Sequence, residues 1–123
     1  MLEVKFDLGV KTRKAYKTKD TQTLSTIVEQ DYPALLERLE LFYDAFENAW
    51  MTERKPFGFE VQDIRIGGLI QRVKHCKRTL EKYLKGELTT IDELEQEILP
   101  PFGSTHGKVN GMHYITLPTT CKI

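Results

Sequence analysis

Asp92 and Glu93 stand side by side, and paired acids of this kind can serve glycoside chemistry, one carboxyl moving a proton while the other orients substrate. Their surroundings assign them a plainer role. Thr90 and Glu93 have the spacing of a capping box, which puts both acids in the first turn of a helix, where free N–H groups and the helix dipole favour negative charge. Gly67-Gly68, inside the stretch KPFGFEVQDIRIGGLIQR (55–72), suggests a phosphate cradle. Such cradles need a GxGxxG or GxxxxGK[ST] turn between a strand and a helix, and the pair fits neither pattern. His75 and Cys76 are sequence neighbours that diverge on a helix, and His106 and His113 have no carboxylates close by, so no metal site is expected. Cys76 falls on an apolar stripe and no serine occupies a strained elbow, which leaves no nucleophile. The residues therefore predict no catalytic group, metal or cofactor.

The elements that carry these residues read mostly as helices. Leu36, Leu39, Tyr43, Phe46 and Trp50 step by three and four, an amphipathic helix opened by Asp31 as N-cap with Pro33 in its first turn. Ile66, Leu69, Val73, Cys76, Leu80 and Tyr83 form a second stripe, starting near Glu60 after the break at Pro56 and Gly58 and ending before Gly86 as the C′ residue. Asp20 caps a short helix through Leu24, Ile27 and Val28. A last helix runs from the capping box through Leu94, Ile98 and Leu99 to Pro100-Pro101. Residues 2–10 leave two readings open, because Leu2, Val4, Phe6, Leu8 and Val10 alternate as in a strand while Leu2, Phe6, Val10, Arg13 and Tyr16 fit a helix. The tail, 100–123, is glycine-rich, with a short β-like run at 113–117. The fold class is thus mainly all-α, a single domain over 1–123 with about three to five helices around the two long stripes.

Composition narrows the partners. At 123 residues the chain can bury roughly two-thirds of its unfolded surface in one core. Lys+Arg and Asp+Glu are both 18, so no global field draws the protein to nucleic acid or to a membrane surface. The cationic run at Lys11, Arg13, Lys14, Lys17 and Lys19 suits the C-terminal end of a helix; a nucleic-acid patch is the other reading. Two cysteines without a CxxC spacing favour a reduced, cytoplasmic setting, and no apolar run reaches transmembrane length.

Each glycine of Gly67-Gly68 costs a helix about 1 kcal/mol relative to alanine, so something should offset the pair. On the second long helix Ile64, Gly68, Gln71, Arg72 and His75 fall opposite the core stripe. Two explanations remain: another helix of the domain lies on this face, or Ile64, Arg65, Gly68 and Arg72 form an interface to another domain or subunit.

Trp50, Lys55 to Glu60, Asp63-Ile64-Arg65 and Gly67-Gly68-Leu69 resemble the C-terminal helical domain of subgroup C of family 20 glycoside hydrolases, bacterial exo-β-N-acetylhexosaminidases. Weaker similarity runs through LGVKTRKAY (8–16) and LLERLELFYDAFENAW (35–50) and into the proline-stopped helix, so the resemblance covers most of the chain. It implies a domain appended to a catalytic TIM barrel in the same polypeptide. The parent enzyme would remove terminal β-linked N-acetylglucosamine or N-acetylgalactosamine with retention, the substrate's acetamido oxygen attacking the anomeric carbon. The family's acids lie in a Gly-Gly-Asp-Glu motif, which Thr89-Thr90-Ile91-Asp92-Glu93 does not match, so no catalytic residue carries over. The resemblance also implies that residues 2–10 are helical and that the Ile64 face meets the barrel or a second subunit. A rival reading is a free-standing helical interaction module that binds a protein through the same face.

Overall fold

The computed structural model describes residues 2–53 and 56–97, with side-chain surroundings from Asp7 onward, and every element among them is helical. The first, α1 (Leu2–Lys17), resolves the strand-or-helix ambiguity in favour of helix. Helical spacing places Leu8, Thr12, Ala15 and Tyr16 on one side, and all four are buried. The Thr12 hydroxyl donates to the Leu8 carbonyl at 2.7 Å, so its burial leaves no unmet donor. Lys14 and Lys17 occupy the last turn, where the dipole favours cations. The helix closes with Lys19 in the left-handed region at φ 54, its N–H on the Tyr16 carbonyl at 3.0 Å and the Asp20 N–H on that of Ala15 at 2.9 Å.

Asp20 then caps α2 (Thr21–Thr26), as its residue type predicts: its carboxylate accepts from the backbone and the hydroxyl of Thr23. Those bonds, the hydroxyl's first, hold the Asp20 carboxyl below its ordinary pKa. The next turn departs from the expectation that Asp31 opens a separate helix. Asp31 caps nothing. A π-helical turn, Ile27–Asp31, joins α2 to α3 (Tyr32–Glu53) without a break, and the Tyr32 N–H reaches back five residues to the Ile27 carbonyl. Pro33 supplies the reason, since it has no N–H to give and its ring would crowd the carbonyl four residues earlier; widening one turn makes room.

Helix α4 (Phe59–Leu84) matches the second stripe and ends at Gly86, which adopts φ 76 as a C′ glycine should. The last helix is shorter than its pattern suggests. It is α5 (Asp92–Glu95), one turn, and its N-cap is Ile91 with no side-chain cap bond, so the Thr90/Glu93 capping box does not form. Glu93 instead turns toward Arg72 of α4. Ile98, Leu99 and the β-like run at 113–117 lie outside the described residues.

The core sits where α1, α2, the start of α3 and the end of α4 converge. Leu24, Ile27, Val28, Tyr32, Leu35, Leu39, Leu80 and Ile91 are buried there with the α1 residues, each large aliphatic contributing roughly 1.5–3 kcal/mol. Beyond it α3 and α4 continue as an antiparallel pair. No residue of α3 after Leu39 is buried, and on α4 only Phe59 and Leu80 are. At 1.5 Å per residue this arm extends roughly 20 Å past the core.

Candidate functional site

The arm is built around its tip, and the tip explains the crowded stretch after Trp50. Pro56 begins the turn, with its carbonyl accepting the Phe59 N–H at 3.2 Å. Gly58 takes φ 92, a left-handed conformation that disfavours any side chain, and its N–H donates to the Glu60 carboxylate at 2.9 Å. Phe59 is thereby turned inward, 4% exposed, against Tyr43, Phe46 and Trp50 at ring-centre distances of 6.1, 5.9 and 5.8 Å. Phe42 stacks on Phe46 at 5.8 Å and carries the cluster out to the surface. The aromatics at i, i+4 spacing are thus a packing device that locks two helices together. Tyr43 also donates its hydroxyl across the pair to Asp63 at 2.7 Å. That bond to a carboxylate, ahead of smaller charge effects, pushes the Tyr43 pKa up to about 12.

Among the charged and polar residues of the arm several large apolar side chains are also exposed. Ile64 and Leu41 are both 61% exposed, Phe57 is 89% exposed, and Met51 and Val61 are each 43% exposed. Counting 100° per residue, Ile64 points away from α3 and Leu41 away from α4, so exposed apolar residues occur on both outer sides and, with Phe57, at the tip.

The four residues predicted for an interface divide within this frame. Ile64 and Arg65 are exposed, Gly68 and Arg72 half-buried. Ile64 is 61% exposed, while Gly68 and Arg72 of the same face are half-buried. A Cβ added at the adjacent Gly67 would meet nothing within 4 Å, so inside the domain that glycine is not required for a close approach. Arg72 lies toward α5, its guanidinium 3.5 Å from the Glu93 carboxylate, a solvent-exposed pair worth little by itself.

The residues suited to chemistry are not brought together. Glu93 faces Arg72, His75 is exposed, and Cys76 is half-buried on the core side, where burial pushes its thiol pKa up. No group of three metal-ligating side chains occurs among the described residues. His106 and His113 lie outside them.

Sequence reasoning misses the polar clamp at the other end. The Arg13 guanidinium donates to the carbonyls of Glu93, Leu94 and Gln96 at 3.2, 3.3 and 2.9 Å. Tyr16 accepts the Ile91 N–H at 3.0 Å and donates to Glu95 at 2.7 Å. By spacing alone Arg13 is one member of a cationic run. Its partners are backbone carbonyls some 80 residues away, which no local pattern announces.

These features define a class: a small all-helical domain without an assembled catalytic centre among its described residues, presenting an apolar two-helix arm. Residues 1–113 match the Glycoside Hydrolase 20C C-terminal domain, and the chain belongs to that family. A comparison with curated proteins found no match. No helix among the described residues is long and apolar enough to cross a membrane.

Proposed function

We propose that this chain is the non-catalytic C-terminal domain of a bacterial, cytoplasmic β-N-acetylhexosaminidase and that its arm seats it on the catalytic TIM barrel of the same polypeptide. The parent enzyme removes terminal β-linked N-acetylglucosamine or N-acetylgalactosamine by the retaining, substrate-assisted route. The domain supplies none of the reacting groups. The observation that carries this reading is the uncovered arm: a domain of this family stands beside a catalytic domain, and the exposed apolar residues gather on the arm. Ile64, Val61 and Phe57 provide the apolar contact, Arg65 and Arg72 a polar edge, and Gly68 a low point for close approach. The opposite outer side, at Leu41, is available to a second subunit, so a homodimer is compatible with the same arm. The proposal requires neither nucleic acid nor a lipid surface.

Two experiments test it. The isolated chain is expected not to hydrolyse a chromogenic N-acetyl-β-glucosaminide; turnover that scales with its concentration and survives Asp92→Asn with Glu93→Gln would overturn the non-catalytic assignment. In the parent enzyme Gly68→Leu should lower thermal stability and activity together while leaving the melting temperature of the isolated domain nearly unchanged. If Gly68→Leu instead unfolds the isolated domain, the face is internal and the docking role is wrong.

A further inference from the structure

At the end of the domain away from the arm an open groove of about 700 Å³ runs along α1, with Val10, Tyr32, Cys76 and Leu94 in its lining and Arg13, Lys14 and Lys17 beside them. We propose that this groove docks an acidic amphipathic segment of a partner polypeptide, whose aliphatic side chains rest on Val10 and Leu94 while its carboxylates pair with Lys14 and Lys17. The groove is separate from the arm, and its occupant does not depend on how the arm is seated.

Charge is the first argument. The chain carries equal numbers of the two signs, yet the groove lining holds three cations and no carboxylate. Lys14 and Lys17 are exposed, and neither has an ion-pair partner among the described residues. The helix dipole accounts for their place in the last turn of α1 and leaves both ammonium groups available to a carboxylate from outside. Arg13 adds a third positive charge, because the backbone carbonyls it holds carry no net charge to cancel it. Glu93, the acid near this end, is already turned toward Arg72.

Shape is the second argument. Counting 100° per residue, Val10, Lys14 and Lys17 share one side of α1, opposite the buried Leu8, Thr12 and Ala15. Val10 is 69% exposed, and the half-buried Cys76 and Leu94 line the same groove. An aliphatic strip flanked by lysines matches a segment with leucine-type residues on one side and acids along its edge. A nucleic-acid strand fits less well, because bases stack on exposed aromatic faces and Tyr32, the aromatic of the lining, is 7% exposed. A flat anionic membrane surface would meet the lysines without entering the groove.

The probe is a synthetic amphipathic peptide of about fourteen residues, with leucines at three-and-four spacing and glutamates elsewhere, compared with the same peptide carrying glutamine at each glutamate. By fluorescence anisotropy at low salt the 123-residue chain should bind the glutamate peptide at least about tenfold more tightly than the glutamine peptide. Lys14→Gln with Lys17→Gln should abolish that preference with helical circular dichroism unchanged. Cys76 reports the place of binding: in the chain with Cys121→Ser, saturating glutamate peptide should slow its reaction with iodoacetamide by about tenfold. No binding of the glutamate peptide up to about 1 mM, equal affinity for the two peptides, or a preference that persists in the double variant would overturn the proposal. A Cys76 rate unchanged within about twofold at saturation would overturn it as well. Tighter capture of a single-stranded oligonucleotide or of vesicles containing anionic lipid, lost in the double variant, would contradict a polypeptide occupant.

Discussion

The two ends of the molecule treat most of their apolar residues in opposite ways, Val10 of α1, 69% exposed, being the exception at the core end. Near α1, α2 and α5, Leu24 is 0% exposed and Leu39 1% exposed, and Arg13 and Tyr16 clamp the 91–96 segment with hydrogen bonds. Along the arm Phe42, Phe46, Trp50 and Phe59 pack on one another, and Leu41, Phe57 and Ile64 face solvent. Burial in the first region supports the domain's own fold. Exposure in the second leaves apolar area that the proposed seating on a catalytic domain would cover. The difference separates residues buried in the domain's own core from residues proposed for assembly, although both are the same aliphatic and aromatic types.

The largest expected effect breaks this contrast if it is absent. Leu24→Ala should destabilise the isolated chain by about 2–5 kcal/mol in chemical denaturation, the cost of a cavity in a closed core. Ile64→Lys, which places a lysine four residues after Glu60, should stay within about 0.5 kcal/mol of the parent sequence in the same titration. Next in size is the clamp. Tyr16→Phe leaves the buried Ile91 N–H without its acceptor and should cost about 1–3 kcal/mol, with amide exchange at 91–96 accelerating more than exchange in the arm. Gly67→Ala should stabilise the isolated domain by about 1 kcal/mol, because alanine favours the helix and its methyl meets no neighbour.

The smallest effect concerns pH. Tyr43 titrates near 12 in the folded chain against an ordinary value of 10.0, so its contribution is fully present below pH 10 and lost as pH rises through about 12. Tyr43→Phe should flatten the decline in arm stability between those values, measured by amide exchange of α3 and α4, and below about pH 9 should lower the curve by a constant amount without changing its slope.

Much of this architecture is legible in the residues. The two long helices follow from three-and-four spacing, and Gly86 and Asp20 take the capping roles their types suggest. The segment 2–10 is not decidable from period, since its apolar residues satisfy two repeats; Thr12, Ala15 and Tyr16 settle it by extending only the helical one into the core. Asp31 misleads because a proline two residues later resembles a helix start, and a π turn that absorbs the proline leaves no mark in composition. The capping box does not form because α5 starts one residue later, with Ile91 and not Thr90 at the N-cap. Of the exposed apolar residues of the arm, Ile64 follows from its place opposite the stripe, whereas Leu41 and Phe57 are not singled out by the sequence reading. Leu41 sits outside the stripe of α3, a signal present in the sequence, and Phe57 separates from its neighbour Phe59 only once Gly58 fixes which ring turns inward.

The central claim is that the arm is covered in the parent enzyme and bare in this domain alone. Ile64→Cys, labelled with a thiol reagent and read by peptide mass spectrometry in both settings, tests it most directly. Rapid labelling in the isolated domain and protection by about tenfold or more in the parent enzyme is the predicted result. Equal labelling in the two would contradict it and leave the arm without a partner in its own polypeptide.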